Sequence, residues 1–146
     1  MPDVYASSES STAPDLDIKS VLLVDDDPEL AQTLKLLLES RNFIVTTASN
    51  GAEGLREVMD LDYEVILCDM VMPEMPGDMF YQAVKATKPH LCERFIFITG
   101  HGADPKITEF IEKVDGLVLF KPALIGDIMG MISLALRRGQ RTRDDA

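Results

Sequence analysis

The stretch Val65-Ile66-Leu67-Cys68, which runs directly into Asp69, decides the fold class. Successive side chains of a strand point to opposite faces, so a run of four apolar residues must be covered on both sides. Strands of this kind are typical of parallel sheets with helices on each face. The sequence therefore predicts an α/β fold built around this strand.

Four further runs of strand length are rich in β-branched and aromatic residues and end in polar or turn residues. The five predicted strands are 21–24, 43–48, 65–68, 95–99 and 117–120. Segments of helical periodicity follow each strand, at 30–40, 52–59, 79–87, 106–113 and about 124–138. The predicted caps of the first four helices are Asp27-Pro28, Asn50, Gly77-Asp78 and Asp104-Pro105. This order predicts a (βα)5 fold, which is a doubly wound parallel sheet of five strands with right-handed crossovers.

The length and composition suit one compact domain, since the chain has 146 residues of which 46% are hydrophobic. Residues 1–18 are rich in Ser, Thr, Pro and Asp and are predicted to be a flexible leader. Residues 19–138 are the predicted domain, and residues 139–146 are a predicted charged tail. Nothing then remains to build an output domain, so either a partner provides the output or the chain is a fragment of a larger protein.

The charge and the apolar pattern argue against several classes of function. Asp and Glu number 25 against 14 Lys and Arg, and the net charge of −11 disfavours direct nucleic-acid binding, which needs clustered basic residues. No apolar run approaches the roughly 20 residues of a membrane span, and residues 1–20 lack the features of a signal peptide. Cys68 and Cys92 make neither a disulfide framework nor a zinc set. We therefore expect a cytoplasmic protein without membrane contact.

Acidic residues follow two of the predicted strands directly. Asp25, Asp26 and Asp27 follow the first strand, and Asp69 follows the third. The carboxyl ends of parallel strands meet at one edge of the sheet, where such folds bind ligands. Carboxylates gathered there repel one another unless a cation neutralises them, and hard oxygen ligands suit Mg²⁺ better than zinc. Asp27 has a second interpretation as the N-cap of the first helix, because Pro28 follows it.

A hydroxyl and an ammonium group are predicted at the same edge. The fourth strand ends at Thr99, and the fifth runs into Lys121-Pro122. Taken singly, Thr99 is common at a strand end and Lys121 could be a surface charge. Together with a metal and an unpaired carboxylate they supply what phosphoryl transfer requires, namely a nucleophilic oxygen, a cation and donors for the phosphoryl oxygens.

The sequence resembles the receiver domains of two-component response regulators over nearly all of residues 20–138. The motifs that carry the resemblance are VLLVDDDP, CDMVMPEMPG, FIFITG and LFKPA. The resemblance implies a flavodoxin-like sheet with strand order 2-1-3-4-5. It also implies that a sensor histidine kinase or a phosphotransfer protein donates a phosphoryl group, and that phosphorylation switches interactions with an output partner of unknown identity. Such a domain is not a conventional enzyme, although it catalyses its own phosphorylation and dephosphorylation.

The resemblance also assigns roles to the residues at the strand ends. The implied metal ligands for Mg²⁺ are Asp25, Asp26, Asp69 and the backbone carbonyl of Val71. The implied catalytic residues are Asp69 as the phospho-acceptor, Thr99 as a hydrogen-bond donor to the phosphoryl group, and Lys121 as the partner of Asp69 or the phosphoryl oxygens. The Lys121-Pro122 bond resembles one that is often cis in this family.

The chain departs from the family at Val118, where many receivers have a Tyr or Phe that rotates inward on activation. Two interpretations stay open. Either the output surface signals through backbone and loop movement, or Phe120, which shares a strand face with Val118, takes part of that role. In this family the face formed by the fourth helix, fifth strand and fifth helix often mediates dimerisation, so a homodimer through that face is a further expectation.

Two other functions would use the same sheet edge. A Mg²⁺-dependent phosphatase of the haloacid-dehalogenase type also forms an aspartyl-phosphate, but it needs a second Asp two residues after the nucleophile, where this chain has Val71. A flavin-binding electron carrier needs a phosphate-cradling loop after the first strand, where Asp25-Asp26-Asp27 opposes anion binding. The receiver is therefore the leading hypothesis.

Overall fold

A computed structural model describes residues 18–100 and 104–145, so nearly all of the predicted leader lies outside the described residues. In this part of the chain, five strands alternate with five α-helices. The strands are β1 (Lys19–Val24), β2 (Phe43–Ala48), β3 (Val65–Asp69), β4 (Phe95–Thr99) and β5 (Leu117–Phe120). The helices are α1 (Pro28–Glu39), α2 (Gly51–Asp60), α3 (Gly77–Thr87), α4 (Pro105–Lys113) and α5 (Ile125–Asp145). A 3₁₀ helix, Pro89–Arg94, lies between α3 and β4.

The strands form one parallel sheet in the order β2-β1-β3-β4-β5, which confirms the predicted topology. Strand β3 lies at the centre, and all five of its residues are buried. Its continuous apolar run is therefore covered on both faces, as the sequence predicts. The register places Val24 beside Cys68, so the residues that follow β1 and β3 leave the sheet at the same edge.

Alternate residues of each central strand pack into two separate cores. On one face, Leu22 and Val24 of β1 pack with residues of α2, α3 and α4. On the other face, Val21 and Leu23 pack with residues of α1 and α5. Burial of each such side chain contributes about 1.5–3 kcal/mol, so the two cores hold the sheet edge in place.

Side-chain caps fix the beginnings of three helices. Asp27, Asn50 and Asp104 each accept hydrogen bonds from backbone N–H groups in the first turn of α1, α2 and α4, and these predicted caps are confirmed. The predicted cap Gly77-Asp78 is wrong. Helix α3 begins at Gly77, and the capping position is Pro76, which has no side-chain acceptor for a hydrogen bond.

Helix α5 continues to Asp145, so the predicted helix end near Arg138 is wrong. Arg and Gln favour helices, and the single glycine in this stretch, Gly139, is buried against the side chain of Arg94. Residues 139–145 of the predicted tail thus extend the last helix. Among the described residues, none of the helices is long and apolar enough to cross a membrane.

Candidate functional site

Three carboxylates meet beyond the carboxyl ends of β1 and β3. Asp25 follows β1 directly, and Asp69 is the last residue of β3. One carboxylate oxygen from each of Asp25, Asp26 and Asp69 lies within 4.8 Å of the other two. Asp25 and Asp69 are buried, whereas Asp26 is exposed. The structure therefore brings together the carboxylates that the sequence placed at one edge of the sheet.

Asp25 is held rigidly and carries an unsatisfied oxygen. Its backbone N–H donates to the carbonyl of Ala48 at 3.0 Å, and its Oδ1 accepts from the N–H of Asp27 at 2.9 Å. Its Oδ2 is buried and has no hydrogen-bond partner. Burial raises the pKa of Asp25, the Asp27 N–H opposes this, and the nearby Asp69 carboxylate raises it further. Such a carboxylate is suited to a cation, which would relieve both the burial and the repulsion.

The carboxylate of Asp69 is oriented from both sides. Its Oδ1 accepts from the backbone N–H of Val71 at 3.1 Å, and its Oδ2 accepts from Lys121 Nζ at 3.1 Å. The next backbone N–H, that of Met70, donates to the carbonyl of Ile98 at 2.9 Å and ties this end of β3 to β4. The side chain therefore has little rotational freedom, which is what a positioned nucleophile requires.

Lys121 is the basic member of the cluster. Its Nζ lies 3.1 Å from Asp69 Oδ2 and 3.6 Å from Asp25 Oδ2. Burial alone would lower the pKa of Lys121, but the attraction of the Asp69 and Asp25 carboxylates outweighs it and raises the pKa. Lys121 is thus an ammonium ion at neutral pH. One ammonium against the three carboxylates leaves two negative charges in the cluster.

Thr99 and Lys121 come from neighbouring strand ends. Thr99 is 1% exposed at the end of β4, and its carbonyl accepts from the N–H of Lys121 at 2.9 Å. The Lys121–Pro122 peptide bond is cis, as the family resemblance implies. Because β4 pairs with β3 so that Ile98 lies beside Asp69, the Thr99 side chain is at the same edge of the sheet as the carboxylates.

Cys68 lies directly before Asp69, but its side chain is not a candidate metal ligand. Its side chain is fully buried, and burial raises the pKa of its thiol well above the usual range, with the Asp69 and Asp25 carboxylates adding to the effect. The group is therefore a neutral thiol, whereas metal binding needs a thiolate.

The donor set fits Mg²⁺. Hard carboxylate oxygens, the net negative charge of the cluster and a buried Asp25 Oδ2 that accepts no hydrogen bond, with Lys121 Nζ at 3.6 Å, are what this ion requires from a protein site. The residues that would hold it are Asp25, Asp26 and Asp69, with the carbonyl of Val71 as the ligand implied by the resemblance.

The sequence reasoning missed the part that Gly77 plays in supporting this site. Its N–H donates to the carbonyl of Met70 at 3.2 Å, so the start of α3 rests on the residue after Asp69. A Cβ atom at Gly77 would lie 2.7 Å from the carbonyl oxygen of Asp69 and 2.9 Å from the Cα of Met70. The only signal in the sequence was a glycine after Pro76, which also fits an ordinary turn.

The chain belongs to the response regulator receiver domain family, whose model matches residues 21–133. Receiver domains are signalling modules that generally bind Mg²⁺ at an acidic pocket and interact with histidine kinases or phosphotransfer proteins. The fold, the strand-end motifs and the acidic cluster thus agree on one family.

Individual relatives agree with this assignment. The transcriptional regulatory protein SrrA of Staphylococcus aureus is 30% identical over 122 residues, which cover 84% of this chain and 49% of SrrA. This chain therefore spans about half the length of that relative. A response regulator receiver domain protein from Clostridium thermocellum superposes with a TM-score of 0.73 at 30% identity, over 84% of this chain and 97% of that one. A CheY-like receiver domain protein from Methanospirillum hungatei shares the fold, with a TM-score of 0.78 at 24% identity and coverage of 86% and 98%.

Proposed function

We propose that Asp69 accepts a phosphoryl group from a phosphohistidine of a histidine kinase or phosphotransfer protein in the cytoplasm. The observation that carries the proposal is the meeting of Asp25, Asp26 and Asp69 within 4.8 Å, with Lys121 Nζ 3.1 Å from Asp69 Oδ2. A nucleophilic carboxylate, a cation site and a fixed ammonium group are the parts that phosphoryl transfer needs.

The transfer exchanges one phosphorus bond for another. An oxygen of the Asp69 carboxylate attacks the phosphorus in line with the bond to the imidazole nitrogen, forming an acyl phosphate. The phosphorus–nitrogen bond breaks, and its electron pair stays on the imidazole, which takes a proton from solvent. The hydrogen bonds from Val71 N–H and Lys121 hold the carboxylate for this attack.

The remaining groups of the site offset the negative charge of the carboxylate and of the incoming phosphoryl group. Mg²⁺, when held by Asp25, Asp26, Asp69 and the Val71 carbonyl, supplies positive charge that offsets repulsion between the carboxylate and the incoming phosphoryl group. Lys121 pairs with the phosphoryl oxygens once they arrive, and the Thr99 hydroxyl donates a hydrogen bond to one of them. Water later hydrolyses the acyl phosphate and returns the domain to its first state.

Phosphorylation acts as a switch because it adds about −1.5 to −2 charges at neutral pH to a closely packed site. Thr99 and Lys121 gain contacts only when the phosphoryl oxygens are present. The modified domain therefore favours a different arrangement of the neighbouring loops and helices, and an output partner binds one arrangement better than the other.

A second copy of this chain is a candidate partner of the domain. A groove of about 610 Å³ lies between β5 and α5, with Gly126 and Gly130 on α5 and the side chains of Phe120 and Leu134 along it. Asp127 and Arg137, which also line it, lie about 15 Å apart along the helix. A two-fold axis across the groove would place the Asp127 of one copy opposite the Arg137 of the other.

Charge reversal tests this dimer. The variant R137E should weaken association in sedimentation velocity of the phosphorylated protein, and the double variant D127R/R137E should restore it. A phosphorylated protein that stays monomeric at high concentration would refute the dimer without affecting the phosphorylation chemistry.

The phosphorylation itself is tested with acetyl phosphate and Mg²⁺, followed by intact-mass measurement. We expect one phosphoryl group on the wild-type protein and none on Asp69→Asn. Asp127→Asn is the matched control, because Asp127 is exposed on α5, and it should be phosphorylated like the wild type. No adduct at saturating donor and metal would overturn the proposal.

Turnover of external phosphate esters is a different activity, and the site argues against it. The residue two positions after Asp69 is Val71, whose side chain is exposed and carries no acid to protonate a leaving group. We expect no hydrolysis of p-nitrophenyl phosphate above the rate of Asp69→Asn.

A further inference from the structure

The three carboxylates of the acidic cluster come from two different loops. Asp25 and Asp26 belong to the β1–α1 loop, residues 25–27, whereas Asp69 ends β3 and leads into the β3–α3 loop, residues 70–76. Mg²⁺ demands near-ideal octahedral geometry, so an ion held by all three carboxylates needs the two loops at a fixed separation. The contacts that fix one loop relative to the other are therefore part of the support of the site.

The β2–α2 turn, residues 48–51, contacts both of these loops, although it contributes no carboxylate to the cluster. At its beginning, the carbonyl of Ala48 accepts from the backbone N–H of Asp25 at 3.0 Å. At its end, Gly51 lies against Met75 of the β3–α3 loop. A Cβ atom at Gly51 would be 2.6 Å from Met75 Cγ and 2.8 Å from the Met75 carbonyl oxygen. The turn thus joins the two loops from outside the cluster.

Glu53 fastens this turn to the beginning of α2. Its Oε1 accepts from both the backbone N–H and the hydroxyl of Ser49, each at 2.8 Å. In return, the N–H of Glu53 donates to Asn50 Oδ1 at 2.9 Å. This reciprocal pattern resembles a capping box, except that the Glu53 side chain reaches one residue further back. The hydrogen bonds from Ser49 lower the pKa of the Glu53 carboxyl, so this group accepts both bonds as a carboxylate at neutral pH.

The β3–α3 loop is held along its length. The N–H of Met75 donates to the carbonyl of Pro73 at 2.7 Å, which closes a short turn in which Glu74 has a φ of 70°. A positive φ is uncommon for residues other than glycine, so this backbone has few alternative conformations. The side chains of Met70 and Met72 are buried. A shift at the α3 end of the loop is therefore passed to its other end, where the chain leaves β3.

We propose that the β2–α2 turn is a brace that sets the separation of the two loops and thereby the geometry in which the cluster binds Mg²⁺. Gly51 and Glu53 are then positioning residues. Gly51 is one because a residue without a Cβ atom lets the β3–α3 loop approach, and Glu53 is one because its bonds to Ser49 hold the turn. Neither residue supplies a ligand atom to the cluster. This inference rests on the metal site of the proposed function.

Titration with Mg²⁺ alone, followed by the backbone amide NMR signals, tests the brace without any phosphodonor. Glu53→Ala removes the acceptor of both Ser49 bonds. We expect the dissociation constant for Mg²⁺ to rise roughly tenfold, at the lower end of the range for groups that orient metal ligands. Glu53→Gln keeps an acceptor oxygen and should bind Mg²⁺ nearly as the wild type does. Ser20→Ala is the matched control, because Ser20 Oγ accepts from the Glu64 N–H at 3.1 Å at the opposite edge of the sheet. Its dissociation constant should not change.

Gly51→Ala tests the other end of the brace. The added Cβ pushes on the carbonyl of Met75, which belongs to the backbone and cannot rotate away, so the dissociation constant should rise by a similar factor. Gly116→Ala is its control, since a Cβ there would lie 2.7 Å from the Phe97 ring, at the amino end of β5. This control should lower the stability without changing the dissociation constant. If Gly51→Ala does not fold, Glu53→Ala and Glu53→Gln still test the brace.

An unchanged dissociation constant in Glu53→Ala would overturn the brace. So would an equal rise in Glu53→Gln, because the effect would then come from charge, or an equal rise in Ser20→Ala or Gly116→Ala, because lost stability would then explain it. Failure of the proposed function looks different. A wild-type protein that binds Mg²⁺ but takes no phosphoryl group from acetyl phosphate would overturn the phosphorylation and leave the brace standing, whereas a wild-type protein that binds no Mg²⁺ would overturn both.

Discussion

Gly77 packs directly on the backbone that carries Asp69, so Gly77→Ala tests how that loop positions the carboxylate. The added Cβ would lie 2.7 Å from the Asp69 carbonyl oxygen and 2.9 Å from the Met70 Cα, whereas ordinary contacts begin at 3.4 Å. The backbone after β3 must therefore move by about 0.7 Å, which is the difference between 3.4 and 2.7 Å. Both obstructing atoms belong to the backbone and cannot rotate away as a side chain would.

The expected cost follows from this displacement. Overpacking of a close contact costs about 1–3 kcal/mol. Alanine gains less than about 1 kcal/mol of helix propensity at the first position of α3. We therefore expect the free energy of unfolding to fall by about 1–2 kcal/mol. A displaced catalytic group loses rate steeply, so phosphorylation by acetyl phosphate should slow by roughly tenfold or more.

Urea unfolding followed by far-UV circular dichroism measures the stability, and intact mass against time measures the rate. Gly130→Ala is the matched control, because a Cβ at Gly130 in α5 meets nothing within 4 Å. This variant should be more stable by about 1 kcal/mol through helix propensity and should react at the wild-type rate. Wild-type stability and rate in Gly77→Ala would refute the role given to the close contact.

Two other perturbations probe the metal site and a surface ion pair. Because Asp26 is exposed, Asp26→Asn should change the free energy of unfolding without metal by less than about 0.5 kcal/mol. In the wild-type protein, Mg²⁺ at ten times its dissociation constant should raise the free energy of unfolding by about 1.4 kcal/mol, and Asp26→Asn should remove this gain. An undiminished gain, measured by thermal unfolding, would argue against Asp26 as a ligand. Lys88 and then His90, each 2.7 Å from Asp62, lower the pKa of the Asp62 carboxyl. The pairing therefore contributes to folding stability above pH 3.8, and this contribution is lost as the pH falls through the lowered pKa. Asp62→Asn should therefore cost less than about 1 kcal/mol in urea unfolding at neutral pH, and a cost that persists well below pH 3.8 would contradict the pairing.

The sheet and the positions of the site residues could be predicted because they depend on local patterns. The apolar run before Asp69 identifies a strand buried on both faces, and parallel pairing then brings the ends of β1 and β3 to one edge. The meeting of Asp25, Asp26 and Asp69 follows from that register. The roles given to these residues stay predictions, which the phosphorylation experiments test.

Features that arise from packing between distant segments could not be predicted. The close approach of Gly77 to the Asp69 carbonyl depends on how α3 meets β3. Helix α5 continues past Arg138, and Gly139, a weak helix former, is buried there against Arg94. Neither the spacing of apolar residues nor the turn residues carry that information.

Locating the phosphorylated residue tests the central claim most directly. Borohydride reduces an acyl phosphate to an alcohol, so treatment of the acetyl phosphate-reacted protein should convert the modified aspartate to homoserine, which peptide mass spectrometry can place in the sequence. We predict homoserine at position 69 and nowhere else, and none when Mg²⁺ is removed by chelation. Homoserine at Asp25 or Asp26, or none in a protein that carries the phosphoryl mass, would contradict the assignment of Asp69 as the acceptor.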